Sequence, residues 1–208
     1  MEIVAISTFL VMGVGLGILH AFDPDHVAAV GGISVADGPR SPYWRFAVHW
    51  SLGHGTAMLM LAAAVFILGF AIPAQLSNFA EQTVAYMLIA IGGYSLWRFY
   101  SGLGSGQIAD VESPRAITSA PLIGLIHGTA GSAPLLAILP ASKLANPIIG
   151  VAYVTLFSVG VALGMLVLGT LLAQTFKQVG RVGALYQGLI QAAIGLFALI
   201  LGIFLVLH

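Results

Sequence analysis

The sequence predicts an all-α integral membrane protein: six transmembrane helices arranged as two inverted three-helix repeats, with helices broken at a metal site. Three observations predict it. The chain has 208 residues, is 59% hydrophobic and only 7% charged, and has a mean hydropathy of +1.03. Soluble domains carry about 25% charged residues. Apolar runs of about 20 residues, the length a helix needs to cross a hydrocarbon core, follow one another along the chain. Finally, the two halves share residues at a constant offset.

The first span runs from Ile3 into the Asp23–Pro24 break. It has no basic n-region and no small-residue cleavage site, so it reads as a retained span rather than a signal peptide. The second span covers Phe46–Ile72, the third Thr83–Tyr100 and the fourth Ser119–Leu139. The fifth covers Pro147–Ala173 and the sixth Ala184–Leu207. Pro39–Pro42 and Asn146–Pro147 mark short turns. The polar stretch 101–118 is the longest loop and separates a first repeat, residues 1–100, from a second, residues 119–208.

Charge sets the orientation. Arg40 and Arg45 belong to the first loop, Arg98 and Arg115 flank the third, and Lys177 and Arg181 sit in the fifth, while Lys143 alone falls on the other side. Cytoplasmic loops carry the excess of Lys and Arg. Loops one, three and five are therefore expected in the cytoplasm, and both termini outside the cell membrane.

The repeat rests on Gly17-Ile18-Leu19-His20, which matches Gly124-Leu125-Ile126-His127 at an offset of 107 residues. At that offset Ser51, Gly53 and Met58 recur as Ser158, Gly160 and Met165, and Ala90-Ile91-Gly92 reappears as Ala193-Ile194-Gly195. Three spans per half is an odd number, so the halves would be inverted in the membrane. That is the design of many secondary transporters, which bind their substrate near the midplane on broken helices.

Several classes are excluded. The chain has no cysteine, which rules out a disulfide framework, thiolate ligands and thiol–disulfide exchange. Its formal net charge is zero, so nothing favours a nucleic-acid partner. Lipid is the expected surroundings.

The chemistry concentrates in "GILHAFDPDHVAAVGG", residues 17–32. His20, His26, His49, His54 and His127 lie in or beside spans, and Asp23 and Asp25 are the acids that fall within an apolar stretch. Ionisable groups at such depth are costly and face a cavity or a pathway. One such histidine is as readily explained by hydrogen-bonded packing; five histidines with two aspartates are not. On a straight helix His20, Asp25 and His26 would not converge at 3.6 residues per turn. Pro24 removes a backbone donor and breaks the helix, so His20 from one piece can meet Asp25 and His26 from the next. Imidazole with carboxylate suits divalent first-row metals such as Ni, Co, Zn, Fe or Mn.

The second span offers His49 and His54, five residues apart, so only one of them faces the site. Gly53 and Gly55 permit close helix approach around His54, which makes His54 the ligand and His49 a supporting or pathway residue. His127 leads "HGTAGSAP", the small-residue counterpart of the first motif without its carboxylates, and is a further pathway candidate. Asp23, just before Pro24, is suited to satisfying freed backbone donors or orienting a histidine. Met58 and Met165 read as core filling, and Trp50, Trp97 and Tyr100 as packing or interfacial anchors.

His20-Ala21-Phe22-Asp23-Pro24-Asp25-His26 resembles the H-x4-D-H signature of the nickel/cobalt transporter (NiCoT/NicO) family. Arg45 followed by Ser51-Leu52-Gly53-His54-Gly55-Thr56 is similar to that family's second motif. The family's larger permeases carry further acidic motifs that this chain lacks. The stretch "HGTAGSAPLLAILP" instead resembles its shorter branch of UreH-like urease accessory transporters. The resemblance implies His20, Asp25, His26 and His54 as metal-site residues and Ni2+ as cargo, with Co2+ or another first-row metal as alternatives. It also implies a link to the maturation of a nickel enzyme such as urease or hydrogenase. The expected function is thus secondary transport of a divalent metal, with no catalytic cofactor and no enzymatic activity. Two other classes compete. One is an integral-membrane metalloenzyme, which would bring tighter H-x2-3-H spacings than any here; the other is an accessory protein that binds metal without moving it.

Overall fold

A computed structural model describes residues 2–36, 43–105, 114–130, 132–142 and 146–208. All regular structure among the described residues is helical: α1 (Glu2–His20), α2 (Pro24–Ala36), α3 (Tyr43–Ala62), α4 (Ala74–Ser105), α5 (Pro114–Thr129), α6 (Ser132–Ser142), α7 (Pro147–Val182) and α8 (Ala184–Leu207). The turn at Pro39–Pro42, with Arg40, lies outside the described residues, as do Asp110, Glu112 and Lys143. Between the halves α4 runs on to Ser105 and α5 starts at Pro114, with 106–113 outside the described residues.

Four helical stretches are long and apolar enough to cross a membrane: Ile3–His20, Trp44–Ile67, Pro147–Val182 and Ala184–Leu207. Their outward side chains are oily, with Ile3, Val11, Leu163, Val182 and Leu207 all exposed. Apolar helices with apolar exteriors make this a membrane protein. The expected third span lies inside α4, where Arg98 and several tyrosines dilute the hydropathy. The expected fourth is divided between α5 and α6.

Local chemistry explains the interruptions. After α1 the N–H groups of Phe22 and Asp23 turn back to the carbonyls of Leu19 and His20, at 3.0 Å each. The Asp23 carbonyl then accepts from Val27 and opens α2, whose first residue, Pro24, has no N–H to leave unsatisfied. Asp25 sits in that first turn, where the helix dipole favours a carboxylate. The α5–α6 break is closed by Ala130 N–H to the His127 carbonyl at 3.2 Å. Beyond α3 the chain widens into a π turn, Ala63–Ile67, and leaves it at Gly69, whose φ of 71° favours a residue without a Cβ. The Asn146 side chain caps α7 by accepting from Ile148 N–H at 2.9 Å, with Pro147 in the first turn.

Glycines set the helix pairing. In α1 and α7, a methyl on Gly17 would meet the Phe157 carbonyl, and one on Gly160 would meet that of Val14. In α3 and α5, Gly124 stands against the Trp50 carbonyl and Gly53 against that of Pro121. Adding 107 to Gly17, Gly53, Val14 and Trp50 gives Gly124, Gly160, Pro121 and Phe157. The two pairings are thus one contact pattern with the halves exchanged. The α4–α8 pairing maps onto itself, Gly92 lying on the Gly195 carbonyl and Gly195 on that of Gly92. Close backbone approach of this kind gains van der Waals packing where lipid offers no hydrophobic drive. The core between these pairs holds Trp50, Met58, Tyr153, Phe157 and Met165, all fully buried.

Candidate metal centre

Four helices bring histidines to one place. His20 ends α1, His26 lies in the first turn of α2, His54 is mid-α3 and His127 is near the end of α5. They are 3%, 0%, 0% and 1% exposed. One ring nitrogen from each of His20, His26 and His54 lies within 4.8 Å of the others. The Nε2 atoms of His20 and His54 are 3.4 Å apart. Two nitrogens bound at 2.0–2.1 Å to one tetrahedral metal stand about 3.3–3.4 Å apart.

The surroundings fix the tautomers. His20 Nδ1 donates to Asp23 Oδ2 at 3.0 Å, which turns the Nε2 lone pair of His20 toward His54. His127 Nδ1 donates to the Ile123 carbonyl at 3.0 Å, leaving Nε2 as its basic nitrogen. A second interaction that holds one ring nitrogen and exposes the other is what metal-ligating imidazoles use. Meanwhile both nitrogens of His26, Nδ1 of His54 and Nε2 of His127 are buried with no hydrogen-bond partner among the described residues. An unsatisfied buried polar atom costs about 1–3 kcal/mol. Four in one cluster require a reason, and a cation that accepts one lone pair from each ring, the other nitrogen of a neutral imidazole carrying the proton, supplies it for part of them.

Trp50, wholly buried on α3, forms the wall of this cluster. Its ring lies 4.7 Å from His26, 5.2 Å from His54 and 5.5 Å from His127, centroid to centroid. His127 itself stands 5.3 Å from His26. The sequence reading placed Trp50 only as packing or anchor. Its position one turn before His54 was the available signal.

The remaining expected residues divide. Asp23 is held to His20, and Asp25 Oδ2 lies 4.0 Å from His26 Nε2. Asp25 therefore borders the imidazole trio without being among its converging atoms. His49 is not brought to the cluster: its Nδ1 donates to the Arg45 carbonyl at 2.7 Å.

Asp23 and Asp25 also face a cavity of about 300 Å³, lined in addition by Glu81, Ala130, Leu201 and His208. Glu81 is exposed and lies in the polar N-terminal part of α4, ahead of the apolar run. The third span was expected to start at Thr83, but α4 starts at Ala74 and carries Glu81 within it.

No family model matches the chain, and no solved structure matches it. It is 29% identical over 215 residues to urease accessory protein UreH of Bacillus sp. (strain TB-90), a match covering 98% of this chain and 92% of that protein. The similarity to UreH thus extends along nearly the whole chain, well beyond the short motifs that carried the resemblance in the sequence.

Proposed function

We propose that the chain is a secondary transporter of divalent first-row metal cations, with Ni2+ the preferred cargo and Co2+ next. The observation that carries this reading is the convergence of His20, His26 and His54 within 4.8 Å, all three buried, with both nitrogens of His26 and Nδ1 of His54 lacking a hydrogen-bond partner among the described residues. Imidazole nitrogen suits nickel, cobalt and zinc better than calcium or magnesium. The name of the UreH relative, a urease accessory protein, favours nickel and a role in supplying a nickel enzyme.

In this reading His20, His26 and His54 supply donor atoms and Asp25 supplies charge. Neutral imidazoles bring no negative charge, and a dication leaving water needs compensation. Asp23 orients His20. His127, whose position in the second half corresponds to that of His20, offers a further nitrogen when the bundle rearranges. The exchangeable glycine contacts of α1–α7 and α3–α5 support two inverted three-helix repeats, residues 1–100 and 119–208, with six spans. A two-fold pair of half-bundles suits alternating access, because one half can rock against the other around a site at their junction. The basic bias keeps both termini outside. No step is enzymatic.

The test is uptake of Ni2+ by liposomes containing the purified full chain, against a panel of divalent ions. Saturable uptake abolished by His54→Ala is the expected result. Liposomes that gain no metal above protein-free controls, while the protein binds Ni2+ tightly in detergent, would reduce the chain to a metal-binding accessory.

A further inference from the structure

Two histidines that correspond in the repeat are held in the same way. His20 and His127 are related by the offset of 107 residues, and each lies near the end of the helix that precedes a break. His20 Nδ1 donates to Asp23 Oδ2 at 3.0 Å, and His127 Nδ1 donates to the Ile123 carbonyl at 3.0 Å. Both imidazoles are thereby fixed with the lone pair on Nε2. His20 directs that nitrogen to His54, 3.4 Å away. The Nε2 of His127 is buried and meets no partner among the described residues, and His127 is outside the trio that converges within 4.8 Å. A bare buried acceptor costs about 1–3 kcal/mol, and a residue kept only for packing has no reason to carry one.

His26 contacts both of these rings. Its centroid is 4.6 Å from that of His20 and 5.3 Å from that of His127. Unlike either of them, it has no hydrogen bond at Nδ1 or at Nε2 among the described residues, so no polar partner fixes which way the ring faces. A half-turn about the Cβ–Cγ bond keeps the outline of an imidazole and exchanges nitrogen positions with carbon positions. The turn therefore needs no extra room, although His26 is wholly buried and Trp50 stands 4.7 Å from it and 5.5 Å from His127.

We propose that His26 and His127 form a second metal position, which the ion reaches from the first by a half-turn of the His26 ring. The inference deepens the transport reading and rests on it for the movement of the ion. The second position is the weaker of the two by composition. At the same offset Asp25, His26 and His54 are replaced by Ser132, Ala133 and Val161, so His20 alone of the four has a histidine counterpart. His127 must borrow His26 from the first half. Two protein nitrogens leave more of the coordination shell to water than three do, which favours release. Asp25, 4.0 Å from His26 Nε2, compensates the charge in both positions. Because they share His26, one ion occupies the pair at a time.

The experiment measures Ni2+ binding by calorimetry and Ni2+ uptake by liposomes, both with the purified full chain. His127→Asn keeps a side-chain donor for the Ile123 carbonyl and removes Nε2. It should leave the tight affinity in place and lower the maximal uptake rate by about tenfold or more. His20→Ala should replace the tight class by a weaker one, and adding His127→Asn should weaken that class further, again by about tenfold or more. If His127→Asn alone weakens tight binding as much as His54→Ala does, His127 is a ligand of a single site and the second position is overturned. It is overturned equally if His127→Asn binds and transports like wild type, or leaves the weak class of His20→Ala unchanged. His127→Gln, which also lacks the imidazole, carries the same expectations if His127→Asn does not fold. If the weak class depends on His127 as expected but wild-type liposomes take up no Ni2+, the second position stands and the transport reading fails.

Discussion

Asp23 Oδ2 accepts a hydrogen bond from His20 Nδ1 at 3.0 Å across the break between α1 and α2. Two residues, Ala21 and Phe22, lie between the partners, and the broken backbone there closes through Asp23 N–H to the His20 carbonyl. The same residue thus ends one helix, opens the next through its carbonyl and orients the imidazole nearest His54. Asp25, two residues on, contacts His26 instead, at 4.0 Å. Two neighbouring carboxylates therefore have different partners.

That difference predicts different phenotypes. Asp25→Asn keeps size and hydrogen bonding and removes the charge that compensates the dication, so Ni2+ uptake into liposomes should fall to background in a folded protein. Asp23→Asn can still accept from His20 and should lower metal affinity by about 10–100-fold, the usual cost of a disturbed supporting partner. Normal uptake by Asp25→Asn with a dead Asp23→Asn would reverse the two roles.

The histidines should separate just as clearly. His20→Ala and His54→Ala each remove one of the Nε2 atoms that face each other at 3.4 Å. Each should abolish tight Ni2+ binding measured by calorimetry on the purified chain. His49→Ala should leave it intact, because that imidazole is tied to the Arg45 carbonyl away from the cluster. Equal losses in all three variants would point to a packing role for these rings.

Part of this site was legible in the sequence because proline is unambiguous. Pro24 announced a break, and a break is what lets residues five and six apart, such as His20 with Asp25 and His26, be brought together. The spans that hydropathy defined emerged as helices at Ile3–His20, Pro147–Val182 and Ala184–Leu207. Helix facing was not legible. Membrane helices are apolar on all sides, so no amphipathic stripe says which side turns inward. For that reason Trp50 read as an anchor although it lies 4.7 Å from His26. The cavity that Glu81 and His208 share with Asp23 and Asp25 was not legible either, because α8 packs back against α4, a long-range pairing with no local signature.

The glycine contacts predict paired stability effects. Gly53→Ala and Gly124→Ala each place a methyl against a backbone carbonyl of the partner helix. Each should cost about 1–3 kcal/mol, as overpacking does, seen as a lower unfolding temperature in detergent. Gly93 has nothing within 4 Å of where its methyl would sit. Gly93→Ala should be neutral or stabilise by up to about 1 kcal/mol. A Gly93→Ala protein as unstable as the other two would remove the packing explanation.

Orientation can be tested within one helix. Ser77 and Ser105 lie near opposite ends of α4, roughly 40 Å apart at 1.5 Å per residue. The chain has no cysteine, so a single cysteine at either position labels uniquely. Ser105→Cys should react only from the cytoplasmic side and Ser77→Cys only from outside. Labelling of both by an impermeant reagent applied outside would sink the predicted orientation and, with it, the inverted-repeat reading.

Trp50 offers a direct optical reading of the site. It is fully buried and stacked on His54 with ring centroids 5.2 Å apart. The other two tryptophans, Trp44 and Trp97, are 60% and 63% exposed. Replacing Trp44 and Trp97 with Phe therefore leaves one emitter, set against the imidazole cluster. Ni2+ has a partly filled d shell and quenches an indole at contact range, whereas Zn2+ is d10 and redox-silent. Ni2+ titrated into this variant should quench the emission saturably, at the concentrations that calorimetry assigns to tight binding. Zn2+ should shift the emission without quenching it, and His54→Ala in the same background should abolish both responses. Uptake of Ni2+ with no change in Trp50 emission would mean that the ion crosses without entering the cluster, and the metal centre would have to be sought elsewhere in the bundle.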